Sequence, residues 1–209
     1  GIMGFTELLV SKDTSDEQRM FYKELIFNAC NQLLFIINDI IDISAIETGK
    51  VSIKLSRVSM TEVVTNLKHF FEPLAIEKNI DLIVQNTNDP PINYFETDEI
   101  KLVQILTNLI NNSFKFTEKG SVTFGYNIED KYIKFYVRDT GIGIKPENQE
   151  TIFDRFRQAD YGPDRKHQGA GLGLSISKAF AELLGGRIWF EPNKTIGTTF
   201  YFTIPYKPA

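Results

Sequence analysis

The sequence predicts an α+β fold: a two-layer sandwich in which helices cover a mixed sheet, preceded by a helical hairpin that completes a dimeric four-helix bundle. Three observations carry this expectation. Residues 1–50 read almost entirely as helix, with a double apolar stripe. After Gly49 the pattern changes to short alternating segments separated by helical stretches. One of those later helices bears a stripe of carboxamides, and two glycine clusters follow it, Asp139-Thr140-Gly141-Ile142-Gly143 and Gly169-Ala170-Gly171-Leu172-Gly173-Leu174.

Residues 1–11 read as the end of a helix with Ile2, Phe5, Leu8 and Leu9 on one side, and residues 12–16 as a polar turn. A long helix follows over residues 17–48. Its apolar positions Ile26, Ala29, Leu33, Ile36, Ile40 and Ile43 alternate three and four apart, and Cys30, Leu34, Ile37 and Ile41 run beside them. That double stripe is too wide for one partner helix. A second copy of the hairpin would bury it, so a homodimer is expected; packing of the stripe onto the chain's own later residues is the alternative. Gly49 ends the helix as a C-terminal cap.

Beyond this boundary, residues 51–55 read as a strand, 59–78 as a helix, 80–85 as a strand and 86–93, with Pro90 and Pro91, as a turn region. Thr97 is placed to cap the next helix, with Asp98 and Glu99 in its first turn. Residues 121–128 and 132–138 form a hairpin around Glu129-Asp130. Residues 145–168 show little periodicity. A helix over 172–184 and strands over 187–191 and 198–204 complete the order.

Composition narrows the function classes. The 209 residues are 42% hydrophobic and 24% charged, which is globular usage. A net charge of -4 argues against a nucleic-acid partner, whose footprint would be basic. The single cysteine, Cys30, excludes an intramolecular disulfide and a multi-cysteine metal site; its place on the apolar stripe suggests a buried core thiol. His69 and His167 lack ligand partners at metal spacing. No uninterrupted apolar run is long enough for a bilayer and the start lacks a basic flank, so neither a membrane segment nor a signal peptide is expected. Beginning inside a helical pattern, the sequence suggests a piece of a longer protein.

On the helix spanning the carboxamide stretch, Gln104, Asn108, Asn112 and Lys115 share one face, while Leu102, Ile105, Leu106, Leu109 and Ile110 cover the other. Amide oxygens can ligand a hard cation such as magnesium, and the ammonium can neutralise phosphate. The same pattern also suits a surface helix with a solvated polar face. Asp139 closes a strand where Gly141 and Gly143 permit a tight turn or close approach of a planar ligand, and its carboxylate can accept from an exocyclic amine. Asp-x-Gly-x-Gly is equally an ordinary turn. The second glycine cluster opens a helix, where free backbone donors favour phosphate. Neither cluster carries the endings of a P-loop or a dinucleotide fingerprint.

Taken in order, Asn108/Asn112/Lys115, Asp139-Thr140-Gly141-Ile142-Gly143, Phe153-Asp154-Arg155-Phe156 and Gly169-Ala170-Gly171-Leu172-Gly173-Leu174 resemble the asparagine, first glycine, phenylalanine and second glycine boxes of the sensor histidine kinases of two-component systems. The first nine residues resemble the segment after the phospho-acceptor motif of that family, and residues 38–50 the end of its second dimerisation helix. The resemblance implies a dimerisation and histidine-phosphotransfer hairpin over 1–50 and an ATP-binding catalytic domain of the histidine-kinase ATPase fold over 51–209. It places the acceptor histidine upstream of Gly1, so no catalytic residue is expected within the chain.

By position, the family implies ATP and Mg2+ as cofactors, with Asn112 as the metal ligand and Asn108 and Lys115 near the phosphates. Asp139 would read the adenine amine in a pocket shaped by Gly141 and Gly143, with Gly169, Gly171, Leu172 and Gly173 at the triphosphate. Phe153 and Phe156 open a lid running to Gly169, in which Arg155, Arg157, Arg165, Lys166 and His167 are either phosphate or partner contacts, or a solvated loop. Thr198 and Thr199 match a box that supports the adenine site, although strand pairing explains them equally. Two residues depart from the family pattern, Ala170 for a commoner Thr and Ser113 for Ala. The implied partners are a second copy and a response-regulator receiver domain. The implied location is cytoplasmic, with the parent protein anchored in the inner membrane or free.

Two rival classes share these features. ATPases of the gyrase and chaperone type place a Glu one turn before the metal-binding Asn to activate water; here that position is Asn108, which is no general base. A non-catalytic nucleotide-binding module is the other rival.

Overall fold

The computed structural model describes residues 1–11, 14–86, 93–157 and 171–209, in two compact units, Gly1–Val51 and Ser52–Ala209. Expectations for residues 12 and 13, for the Pro90-Pro91 turn, and for lid residues 158–170 lie outside the described residues.

The first unit is a hairpin of α1 (Ile2–Val10) and α2 (Asp16–Glu47). Ser15 starts α2 with a reciprocal cap: its hydroxyl accepts from the Gln18 amide, and the Gln18 side chain accepts from the Ser15 amide. At the other end Gly49 turns left-handed at φ 63°, and the Gly49 and Lys50 amides donate back to Ile46 and Ala45. This closure satisfies the last carbonyls of the helix. Phe5 stacks on Tyr22 at 5.9 Å between ring centres.

No residue of α1 or α2 is buried. Leu33, Leu34, Phe35, Ile37, Ile40 and Ile41 are exposed, and Cys30 is half-buried rather than a core thiol, because the hairpin alone supplies too little surface to cover the stripe. By length and composition alone α2 is long and apolar enough to cross a bilayer, although polar residues break its apolar run. The sequence criterion required an unbroken apolar run, whereas a window with few charges suffices.

The second unit contains β1 (Ser56–Ser59), α3 (Met60–Lys78), β2 (Ile80–Asn86), β3 (Tyr94–Thr97), α4 (Glu99–Phe116), β4 (Gly120–Glu129), β5 (Tyr132–Asp139), a single turn α5 (Pro146–Gln149), α6 (Gly173–Leu183), β6 (Ile188–Pro192) and β7 (Thr198–Pro205). The main sheet runs β2-β4-β5-β7-β6. Only β2–β4 is parallel, reached by a crossover through α4, and the other pairs are antiparallel. The mixed two-layer sandwich is therefore the fold of this unit.

Two local expectations are corrected. The first strand lies at Ser56–Ser59, paired with Tyr94–Thr97, rather than at 51–55. The amide of Lys54 is already engaged by the Asp98 carboxylate at 2.8 Å, which takes a donor that a sheet would need. The cap of α4 is Asp98, accepting from the Lys101 amide at 3.1 Å, not Thr97, which is still in register with Ser56.

Alternation along β4, β5 and β7 puts Phe124, Tyr126, Ile133, Phe135, Val137, Phe200, Phe202 and Ile204 in the core. α4 meets them with Leu102, Ile105, Leu106, Leu109, Ile110 and Phe114. Phe135 stacks on Phe202 at 4.7 Å, and Phe71 of α3 on Phe114 at 5.8 Å. On the opposite sheet face, the Tyr136 hydroxyl passes over Gly125 of β4 and donates to the Gln85 carbonyl of β2 at 3.0 Å.

Candidate functional site

Period two also positions the central carboxylate. Asp139 shares parity with Phe135 and Val137, so it extends the core-facing row at the end of β5 and is 5% exposed. Its Oδ1 accepts from the amides of Gly141 at 2.9 Å and Thr198 at 3.2 Å. Among the described residues Oδ2 has no hydrogen-bond partner. Burial pushes the carboxyl above its ordinary range, while the two backbone donors act in the opposite direction without cancelling it.

The first glycine loop is seated against the end of α4. The Ile142 amide donates to the Phe116 carbonyl at 3.2 Å, and a Cβ at Gly141 would collide with that same carbonyl. Gly143 is left-handed at φ 74°, a conformation that side chains resist. The hydroxyls of Ser113 on α4 and of Thr117, which ends the helix against Gly141, are buried with no partner among the described residues. Left unpaired, each costs about 1–3 kcal/mol, so the site favours a polar guest or water that satisfies them.

The second glycine cluster meets α4 one turn above Asn112. Asn108 donates to the Gly173 carbonyl at 3.3 Å and to the buried Ser177 hydroxyl at 3.5 Å, tying α6 to α4. Leu172 is buried, and α6 begins at Gly173 without a side-chain cap. Gly171 is left-handed at φ 70°, and a Cβ there would press on the Arg157 carbonyl at 2.7 Å. The polar stripe Asn108, Asn112, Lys115 thus runs between the anchorages of both glycine clusters. All three side chains are half-buried, and burial depresses the Lys115 ammonium below its ordinary value.

Phe153 packs on Phe190 and Phe200, fixing the turn after α5 to the sheet. Phe156 is 70% exposed with a left-handed backbone at φ 58°. Thr199 is buried and its hydroxyl donates to Asn193 Oδ1 at 2.6 Å. Gly169, Ala170, Arg165, Lys166 and His167 lie outside the described residues.

Sequence reasoning missed Asn193 and Gly197. The Asn193 side-chain amide donates to the Asp139 carbonyl at 2.7 Å and to that of Ile196 at 3.1 Å. Gly197 is left-handed at φ 90°, and a Cβ there would collide with the Asp139 carbonyl. The only legible signal was an Asn and a Gly at the two ends of a polar turn between strands.

A buried aspartate held through one carboxylate oxygen beside a glycine loop fits an amine-bearing planar ligand, and an uncapped helix start tied to Asn108 fits an anionic group. Residues 97–208 match the family of histidine kinase-, DNA gyrase B-, and HSP90-like ATPases. The chain belongs to the histidine kinase branch of that family. It is 34% identical over 214 residues to the autoinducer 2 sensor kinase/phosphatase LuxQ of Vibrio harveyi, covering 99% of the chain and 25% of the relative. It is 36% identical to the signal transduction histidine-protein kinase BarA of Escherichia coli, covering 98% and 22%. Full-length ShkA, solved in complex with AMPPNP, superimposes with a TM-score of 0.80 at 29% identity over all of this chain and 43% of that one. The chain thus spans about a quarter of the length of the curated kinases it matches.

Proposed function

We propose that this chain binds ATP with Mg2+ and serves as the nucleotide-binding and dimerising part of a protein-histidine kinase in a two-component system. Residues 1–50 act as the dimerisation and histidine-phosphotransfer hairpin, and 51–209 as the ATP-binding domain. The observation that carries the reading is the Asp139 carboxylate, buried and fixed through Oδ1 with Oδ2 left for an exocyclic amine.

Gly141 and Gly143 let the backbone approach the purine, and the Ser113 and Thr117 hydroxyls supply buried polar contacts. Asn112 offers its amide oxygen to Mg2+, while Lys115, Asn108 and the start of α6, with Gly169, Gly171, Leu172 and Gly173, hold the phosphates. Bound ATP supplies the γ-phosphoryl group. Asn108, engaged with Gly173 and Ser177, cannot activate water as a general base, which favours transfer over hydrolysis.

The acceptor is a histidine outside these 209 residues, and the onward acceptor is a receiver-domain aspartate of a response regulator. His69 is exposed on α3 without an acidic neighbour in sequence to orient an imidazole. ATP chemistry places these residues in the cytoplasm, whether or not the parent protein is anchored in the inner membrane.

The test is incubation with radiolabelled ATP, alone and with a longer acceptor-bearing subunit of the same kinase. Label is expected on the acceptor histidine of the longer subunit and not on this chain alone. Label on His69 or His167, or steady ATP hydrolysis without transfer, overturns the assignment.

A further inference from the structure

We infer that Asn193 is a positioning residue for the purine-reading carboxylate, a role that rests on the nucleotide-binding reading and adds a specificity determinant to it. The ladder between β5 and β7 ends at Arg138 and Thr199. The next acceptor, the Asp139 carbonyl, has no strand partner in that ladder and is taken by the Asn193 amide nitrogen at 2.7 Å. The same nitrogen donates to Ile196, the Asn193 backbone amide donates to the Gly197 carbonyl at 3.1 Å, and the Asn193 side-chain oxygen accepts from buried Thr199.

Asn193 therefore closes the β6–β7 turn on itself and clips that turn to the backbone of Asp139. Two consequences follow for the carboxylate. Gly197 is pressed so close to the Asp139 carbonyl that no side chain fits. The following residue, Thr198, is delivered with its amide on Asp139 Oδ1. Half of the fixation of Oδ1 thus comes from a turn whose position Asn193 sets. A carboxylate held by one donor instead of two can rotate, and Oδ2 loses the direction that distinguishes an amine from a carbonyl on the base.

The experiment measures ADP and GDP binding by calorimetry, with thermal unfolding alongside, for the unaltered chain, Asn193→Ala, Asn193→Asp, Thr199→Val and Asp139→Asn, singly and with each position-193 change on Asp139→Asn. Asn193→Asp keeps the acceptor for Thr199 but loses the nitrogen that donates to the Asp139 and Ile196 carbonyls, so it separates those two bonds from the Thr199 contact. Loss of one such bond corresponds to about a threefold to tenfold weakening of ADP. The ADP over GDP preference falls by a similar factor, and Thr199→Val shows a smaller change in the same direction.

In the Asp139→Asn background, changes at 193 are expected to leave nucleotide affinity unaltered, because the route runs through the carboxylate. If Asn193→Ala fails to fold, Asn193→Asp and Thr199→Val carry the decision. Unchanged ADP preference in the folded variants, or equal losses with and without the Asp139 carboxylate, overturns the inference while leaving nucleotide binding intact. Failure of the unaltered chain to bind ADP at all overturns the nucleotide reading itself.

Discussion

Phe35 and Phe135 are chemically the same, yet the first is 66% exposed on α2 and the second 1% exposed in the sheet core. The two units differ in the same way throughout. The unit from Ser52 to Ala209 closes its core with its own helices and strands, whereas the hairpin exposes the residues its periodicity marks as apolar. An apolar pattern identifies a surface to be covered; whether the covering residues belong to the same chain depends on how much surface the element's neighbours provide.

The largest effect should come from charging the hairpin seam. Ile36→Asp with Ile40→Asp is expected to convert a dimer into monomers, raising the dimer Kd by at least about a thousandfold, since each unpaired charge in an apolar seam costs several kcal/mol. Light scattering checks this, and an unaltered chain that is already monomeric at high concentration would end the dimer assignment. Next in size is Phe135→Ala, expected to destabilise the nucleotide-binding unit by about 3–5 kcal/mol in urea unfolding. Phe35→Ala should shift the same transition by less than about 0.5 kcal/mol. Similar shifts for the two would erase the contrast between the units.

A smaller loss is expected at the turn beside Asp139. Gly197→Ala must adopt a left-handed conformation against a carbonyl, and should cost about 1–3 kcal/mol in stability together with most ADP binding. Unfolding and calorimetry on one preparation separate the two losses. The smallest effect is a pH dependence. Burial raises the Asp139 pKa above its ordinary 3.8, and binding of an amine to Oδ2 needs the ionised form. ADP affinity should therefore weaken on acidification while the pH is still above 3.8, and this dependence should vanish in Asp139→Asn. Stability without nucleotide runs the other way: the folded state holds the proton more tightly, so this carboxyl's contribution is greatest below 3.8 and declines as pH rises through the raised pKa. A pH-independent ADP affinity in the unaltered chain would contradict the role given to this carboxylate.

The sequence made the long elements legible because their periods run for many residues: α2, α3, α4, α6 and the β4–β5 hairpin lie close to where periodicity puts them. The four-residue strand β3 was not legible, since so short a segment after two prolines carries almost no alternation signal. Asp139, Gly141 and Asn108 were legible as members of motifs. The clip formed by Asn193 was not, because its partner is a main-chain carbonyl 54 positions earlier and a backbone atom leaves no mark on residue identity. Ser113 was visible as a departure from the family pattern, but its unpaired hydroxyl emerged only with burial.

The Tyr136 contact with Gln85 bears on the order in which the sheet is completed. The β4–β5 hairpin turns through two residues, with Asp130 left-handed at φ 55°, and such hairpins close in roughly 1–10 μs. The parallel pairing of β2 with β4 joins residues far apart in sequence, Ile80 to Gly120, so it is expected to close more slowly than the hairpin. Tyr136 rises from the early hairpin and grips a carbonyl of this late-arriving edge strand. Its phenol is consequently a clock hand for the last step of assembly: during refolding, Tyr136 should reach its native environment only after the hairpin that carries it has formed.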